Sequence, residues 1–251
     1  DFLDMTPPDR VSDKVIWETT QSAEYTLNYM YSYVYDIVMS QSRVGLTEAL
    51  TDQLKYGSYN YNALAFIPSE MAYGDATTLS ASYVDAYMGY WSTWYSAIRQ
   101  VNQGISELKQ YGQMADEDKV RLEAELRFMR AFIYFDLVKR YKEVVIYDED
   151  LSKITKDKAL NTEAEGWDFI QADLEFAGAN LPDRAASKGR LDKGSAWAFL
   201  SRTMLYAKRW SVVKTAAENV EDLGYGLEAN YADSYGKRTS AGNNEAILQY
   251  Q

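Results

Sequence analysis

The sequence predicts an all-α fold of helical hairpins that carries one long tyrosine-rich loop region and minor β elements near its C-terminal end. Three observations lead there. Apolar residues recur at intervals of three and four along most of the 251 residues, the only prolines lie at 7, 8, 68 and 182, and the helical period lapses for long only between about 41 and 82. A chain of this length can bury a core without metals or disulfides, and one to two domains is the natural expectation.

The first helix is expected from Thr20 to about Ser40, where Leu27, Met30, Val34 and Ile37 form a core stripe and Tyr25, Tyr29 and Tyr33 a second stripe at steps of four. The tyrosine stripe is read as structural because it flanks the core face. Residues 41 to 82 carry Gly45, Gly57, Pro68 and Gly74 among Ser, Asn and Thr, so they read as loop with at most one helical turn near Leu46 to Leu54. A loop of this length in a compact domain is usually functional.

Helical spacing returns from Tyr83 to Tyr111 through Tyr87, Trp91, Trp94, Ile98, Val101, Ile105 and Leu108, with Gly112 placed to end the helix. Asp116 to Tyr141 follows, with Val120, Leu122, Leu126, Met129, Phe132, Ile133, Leu137 and Val138 on more than one face, as in a helix packed on two sides. Thr162 and Glu165 make a capping box that opens a helix ending near Leu181-Pro182. A helix from about Arg190 to Arg209 is joined by almost nothing to the next, for which Ser211 is the expected cap and Gly224 the stop. Two such adjacent helices, carrying Ala196, Leu200, Leu205, Tyr206, Trp210, Ala216 and Ala217, resemble a tetratricopeptide-type unit, and 91 to 111 with 117 to 140 and 163 to 180 with 190 to 209 read as further pairs. Residues 244 to 251 read as a strand.

Composition removes most enzyme chemistry. There is no Cys and no His, so thiolate nucleophiles, His bases, Cys/His zinc sites and disulfides are excluded. The formal charge of −11 repels phosphate backbones, so nucleic acid is not an expected partner. No phosphate-binding glycine loop or metalloprotease motif occurs, and no cofactor or metal is expected. Asp148, Asp150 and Ser152 begin like a calcium loop, but Lys153 stands at its sixth position and Ala159 at its twelfth. A glycosidase would need two facing carboxylates; Glu48 and Asp52 are the nearest candidates, and in an acid-rich chain that spacing is commonplace. Arg127, Arg130, Lys139 and Arg140 lie on one helix with Glu123, Glu125 and Asp136, which reads as intrahelical pairing, with Arg130 between Met129 and Ala131 as a buried tie between helices. No uncharged apolar stretch is long enough to span a bilayer.

Several ordered phrases go further. Asp1-Phe2-Leu3-Asp4 with Pro7-Pro8, Tyr95 to Ile105, Glu123 to Tyr141 (EAELRFMRAFIYFDLVKRY), Gly189-Arg190-Leu191 with Ala196 to Arg202, and Gly224-Tyr225-Gly226-Leu227 with Asn244 to Ile247 resemble the SusD/RagB family along the whole chain. The resemblance implies a surface-exposed outer-membrane lipoprotein of Gram-negative bacteria, built on tetratricopeptide-like hairpins. Such a protein binds glycans, occasionally peptides, without catalysis and sits over a SusC-type TonB-dependent barrel transporter. Family members are commonly about twice this length, so residues 1–251 are expected to be the N-terminal helical domain. The lipid-bearing Cys that would precede Asp1 is absent, so any membrane attachment would be through an N-terminal lipid anchor that these residues do not carry.

With 22 tyrosines to 8 phenylalanines, the chain is rich in rings that combine an apolar face with a polar tip. The loop region gathers Tyr56, Tyr59, Tyr61, Phe66, Tyr73 and Tyr83 among Asp52, Lys55, Asn60, Asn62, Glu70 and Asp75. A neutral sugar lays its C–H face on a flat ring while amides and carboxylates take its hydroxyls. Asp52, Tyr56, Tyr59, Asn60, Tyr61 and Tyr73 are therefore the candidate ligand residues, with packing of the loop onto the helices as the plainer role for any one ring. Trp91, Trp94, Trp197 and Trp210 fall on apolar helical faces and are expected in the core; Trp91 is the one that would otherwise serve as a stacking platform. The alternative function is a helical-repeat scaffold that binds peptide or protein without a sugar site.

Overall fold

The computed structural model describes residues 13–39, 91–155, 157–185, 187, 189–236 and 245–248. Its elements are α1 (Asp13–Ile16), α2 (Thr20–Met39), α3 (Trp91–Tyr111), α4 (Asp116–Tyr141), a 3-10 turn at Leu151–Lys153, α5 (Glu163–Asn180), α6 (Lys193–Tyr206), α7 (Trp210–Asp222) and α8 (Tyr231–Gly236). The chain divides into two compact units, residues 28–97 and the remainder. The all-α expectation holds among the described residues. Their only β feature is an isolated antiparallel bridge, Val144 with Asn161, and residues 245–248 form no strand. Glu245 is instead tied by its carboxylate, which accepts the Glu228 N–H at 2.7 Å.

In the larger unit α4 packs along α5, α5 along α6, and α6 along α7, so each helix lies against the next. The reason α4 is central is visible in its burial: Leu122, Leu126, Met129, Ile133, Leu137 and Val138 are buried together with Ala124, Phe128, Ala131, Tyr134 and Phe135, which occupies more than one face. Small residues set the spacing. A Cβ on Gly166 would lie 2.7 Å from Val138 Cγ2 across the α4–α5 contact, and one on Gly178 would lie 2.5 Å from the Trp197 ring across α5–α6. Phe128, Phe132 and Phe135 of α4 all stack on or edge against Phe199 of α6, at 5.2–5.4 Å between centroids.

Helix ends follow local chemistry with two revisions. The Thr162/Glu165 capping box is formed in both directions, and Gly224, at φ 78°, ends α7 with its N–H on the Glu221 carbonyl. α6 begins only at Lys193, because the buried Asp192 caps it by accepting from the Ser195 N–H and hydroxyl, each at 2.8 Å. Ser211 is not the cap of α7. The helix starts two residues earlier than that cap would set, at Trp210, after an Arg209 whose guanidinium is bonded to Gln171 and Asp168 of α5.

Candidate functional site

Of the candidate ligand residues, Asp52, Tyr56, Tyr59, Asn60, Tyr61 and Tyr73 lie outside the described residues, as do Glu48 and Tyr83. Trp91 is described. It is the first residue of α3, it is 36% exposed, and its ring leans on Tyr95 with centroids 4.8 Å apart. Trp94, one turn along the same helix, is buried as expected at 2%. Trp91 thus departs from the core expectation in the direction of a partly open aromatic pair. Trp210 departs further, at 62% exposure. On α7 it lies six residues from the buried Ala216, which at 3.6 residues per turn turns it about 120° from that face.

The tyrosines of α2 also depart from their structural reading. The buried stripe is Ala23, Leu27 and Met30, and from its centre Tyr25, Tyr29 and Tyr33 are rotated by about 170°, 130° and 90°. Tyr25 and Tyr29 are accordingly 67% and 62% exposed, while Tyr33 is half-buried. Tyr29 and Tyr33 stack at 6.2 Å with 19° between their planes. An exposed stacked pair offers the kind of flat apolar surface that a pyranose face covers. The signal that identifies these rings was available in the heptad-like angle, not in residue type.

The charged residues of α4 serve architecture. Arg130 is 1% exposed and lies in a bidentate pair with Asp173 of α5, Nε to Oδ2 at 2.7 Å and Nη2 to Oδ1 at 2.8 Å. Its Nη1 donates to Asn102 of α3 and to Glu149 of the α4–α5 connection, at 2.7 and 2.8 Å. Burial disfavours the Arg130 charge, and Asp173 and Glu149 more than restore it. Burial pushes the Asp173 carboxyl above its ordinary value while Arg130 and Arg127 pull it back. A second buried acid, Glu125, takes Arg121 at 2.9 Å and Arg190 at 3.2 Å. Arg127 is held by Glu123 at 2.7 Å, as the spacing of four requires. Each of these carboxylates faces a cation rather than a second carboxylate across an open cleft, so the cluster is a tie between helices and not an acid–base pair.

The calcium-like start at Asp148 is occupied by protein. Lys153 Nζ lies 3.7 Å from Asp148 and 3.1 Å from Asp150, and no cluster of potential metal ligands occurs among the described residues. Glu149, between them, points the other way. Burial raises its carboxyl, but hydrogen bonds from Lys109 and Arg130 outweigh that and hold it at about 2. The groups that face it are Lys109 of α3, Arg127 and Arg130 of α4, and Asp173 of α5 beyond them. Because the folded value is depressed, the stabilisation is complete above the ordinary glutamate value near 4.5 and is lost as pH falls through about 2. Wild type is therefore expected to be more stable than Glu149→Gln at neutral pH, with the gap closing in acid; urea midpoints measured at a series of pH values check this, and a gap that does not narrow would refute it.

Comparison with known proteins decides the family. A family model described as "Starch-binding associating with outer membrane" (SusD-like_3) matches residues 1–205. The chain belongs to the SusD-like family. A SusD-like protein of Bacteroides ovatus is 24% identical over 266 residues, covering all of this chain and 46% of that protein. The crystal structure of a SusD-like protein from Bacteroides fragilis superposes with a TM-score of 0.70 at 28% identity, over 89% of this chain and 42% of that one. A laminarin-binding SusD-like protein superposes with a TM-score of 0.70 at 24% identity, over 90% of this chain and 50% of that one. The chain therefore spans about half the length of the SusD-like proteins it matches. The family description is one of binding and of outer-membrane association. No helix among the described residues is long and apolar enough to cross a membrane. The matched region includes α1 to α5, α6 up to its last residue, and the whole tyrosine-rich segment.

Proposed function

We propose that this SusD-like chain is the helical N-terminal portion of a protein that binds a glycan at the cell surface, without altering it, and hands it to a SusC-type barrel transporter in the outer membrane. The observation that carries the reading is the family match over residues 1–205, whose description is starch binding and which spans the segment that gathers Asp52, Tyr56, Tyr59, Asn60, Tyr61 and Tyr73. Laminarin binding by a protein of the same fold supports a glucan-type ligand. The partly exposed Trp91/Tyr95 pair and the stacked Tyr29/Tyr33 pair supply ring surfaces of the required kind. In this reading Tyr56, Tyr59, Tyr61 and Tyr73 present ring faces, and Asp52 and Asn60 take hydroxyls. Individual contacts are weak, and repeated contacts along a polymer build retention.

Affinity gels containing laminarin or starch test it. The intact protein is expected to be retarded by at least one of the two. Tyr56→Ala/Tyr59→Ala/Tyr61→Ala should abolish the retardation, and Trp91→Ala should weaken it by about 10-fold, the equivalent of roughly 1.4 kcal/mol. Equal retardation of wild type and the triple variant would remove the site assignment. Failure of both gels together with saturable binding of peptide would favour the helical-scaffold alternative.

A further inference from the structure

Antiparallel helices in a bundle are usually joined by two to eight residues, yet α4 and α5 are joined by a far longer connection, from Lys142 to Thr162. Its neck is closed. Val144 and Asn161 exchange both backbone hydrogen bonds, at 3.2 and 2.7 Å, and the Asn161 side chain accepts the Ile146 N–H at 3.0 Å. Its body is bonded to itself: Asp148 accepts the Asp150 N–H, Asp150 accepts the N–H and hydroxyl of Ser152, and the Tyr147 hydroxyl donates to the Thr155 carbonyl. Lys158 lies 4.9 Å above the Tyr147 ring and donates to the Ile146 carbonyl. This is an Ω-type loop, with ends together and internal bonds of its own.

Beyond the neck, hydrophobic burial does little to hold it down. Leu151, Ile154 and Leu160 are 37%, 44% and 55% exposed. Its tethers to the helices are polar and sit close together. The Tyr147 N–H donates to the Tyr134 hydroxyl at 2.7 Å and its carbonyl accepts from Asn102 at 2.9 Å. The Glu149 carboxylate takes Lys109 on one oxygen at 2.6 Å and Arg130 on the other at 2.8 Å. Regions with few buried apolar contacts open locally at a fraction of the global unfolding free energy.

We infer that the arms 144–155 and 157–161 form a strap that opens as a unit on its Val144/Asn161 neck, and that the Glu149 carboxylate is its catch. Opening uncovers Asn102, Arg130 and Tyr134, buried polar side chains of α3 and α4 that the closed strap covers. The inference does not depend on the glycan reading.

Hydrogen exchange on the intact chain, read by mass spectrometry, tests it. Glu149→Gln should accelerate exchange at 145–155 by about 10- to 100-fold, the loss expected for charge-assisted hydrogen bonds, while α4 and α5 keep their rates. Asp157→Asn, which alters an exposed carboxylate of the same connection, should leave the strap's rates unchanged. In Glu149→Ala, added formate should slow the strap again and chloride at equal ionic strength should not, because formate returns a carboxylate to Lys109 and Arg130. Unchanged strap rates in Glu149→Gln would overturn the inference, as would acceleration of strap and helices in step, or equal effects of formate and chloride.

Discussion

Asp173→Ala is expected to lower the unfolding free energy by about 3–5 kcal/mol, because it strands a buried guanidinium. Arg130 and Asp173 are each about 2% exposed at the side chain, and the two hydrogen bonds between them, at 2.7 and 2.8 Å, occupy both carboxylate oxygens. Without Asp173, Arg130 keeps Asn102 and Glu149 on one nitrogen and the Phe169 ring at 4.8 Å, while Nε and Nη2 lose their acceptors. The pairing joins α4 to α5, so the loss falls on the central contact of the larger unit. Arg130→Met/Asp173→Leu should cost much less than Asp173→Ala alone, since it removes the desolvated charges together. Urea unfolding with an unchanged slope checks both. A single variant within about 1 kcal/mol of wild type would show that the pair is wetter and weaker than its geometry indicates.

How much of this was legible follows from how far apart the partners stand. α4 was read to its end residues because its signals are local: acids in the first turn, apolar residues on more than one face, and Gly112 before it. The burial of Arg130 was readable from Met129 and Ala131 beside it. Its partners were not, since Asp173, Asn102 and Glu149 are 43, 28 and 19 residues away and no local spacing selects them. The Ser211 cap failed because tertiary bonds from Arg209 to α5 fix where α7 starts. Tyr25 and Tyr29 were expected to be structural because their stripe flanks the core face, but the angle between the two stripes is wide enough to turn both rings outward. Leu151, Ile154 and Leu160 could not be predicted as exposed from composition, since the bonds that place their connection, at the Val144/Asn161 neck and from Tyr147 and Glu149 to α3 and α4, join residues far apart in sequence. The candidate ligand residues were legible only as a composition of rings and amides, which names a chemistry without fixing a geometry.

Trp17→Ala should cost about 3–5 kcal/mol, comparable to the loss of Asp173 though nothing in the periodicity of the sequence marks the residue. Trp17 lies in the turn between α1 and α2, ahead of the predicted first helix, and is 0% exposed. Its indole N–H donates to Glu107 of α3 at 3.0 Å, and its carbonyl accepts the Gln113 N–H at 3.1 Å just beyond the end of α3. The residue therefore combines burial of a large ring with two bonds that seat the start of α2 where α3 gives way to α4. The neighbouring tethers are weaker substitutes: Thr20 donates to Asp118 at 2.9 Å and Glu24 accepts from Arg121 at 2.7 Å, both partly exposed. Trp17→Phe keeps most of the apolar burial and gives up the hydrogen bond to Glu107, which Gln103 continues to hold at 2.7 Å, so it should recover more than half of the loss. Denaturant unfolding followed by tryptophan fluorescence separates these cases. If Trp17→Ala unfolds at the wild-type midpoint, the segment before α2 is not part of the core, and the seating of that helix rests on its buried Ala23 and Leu27 with the Thr20 and Glu24 contacts.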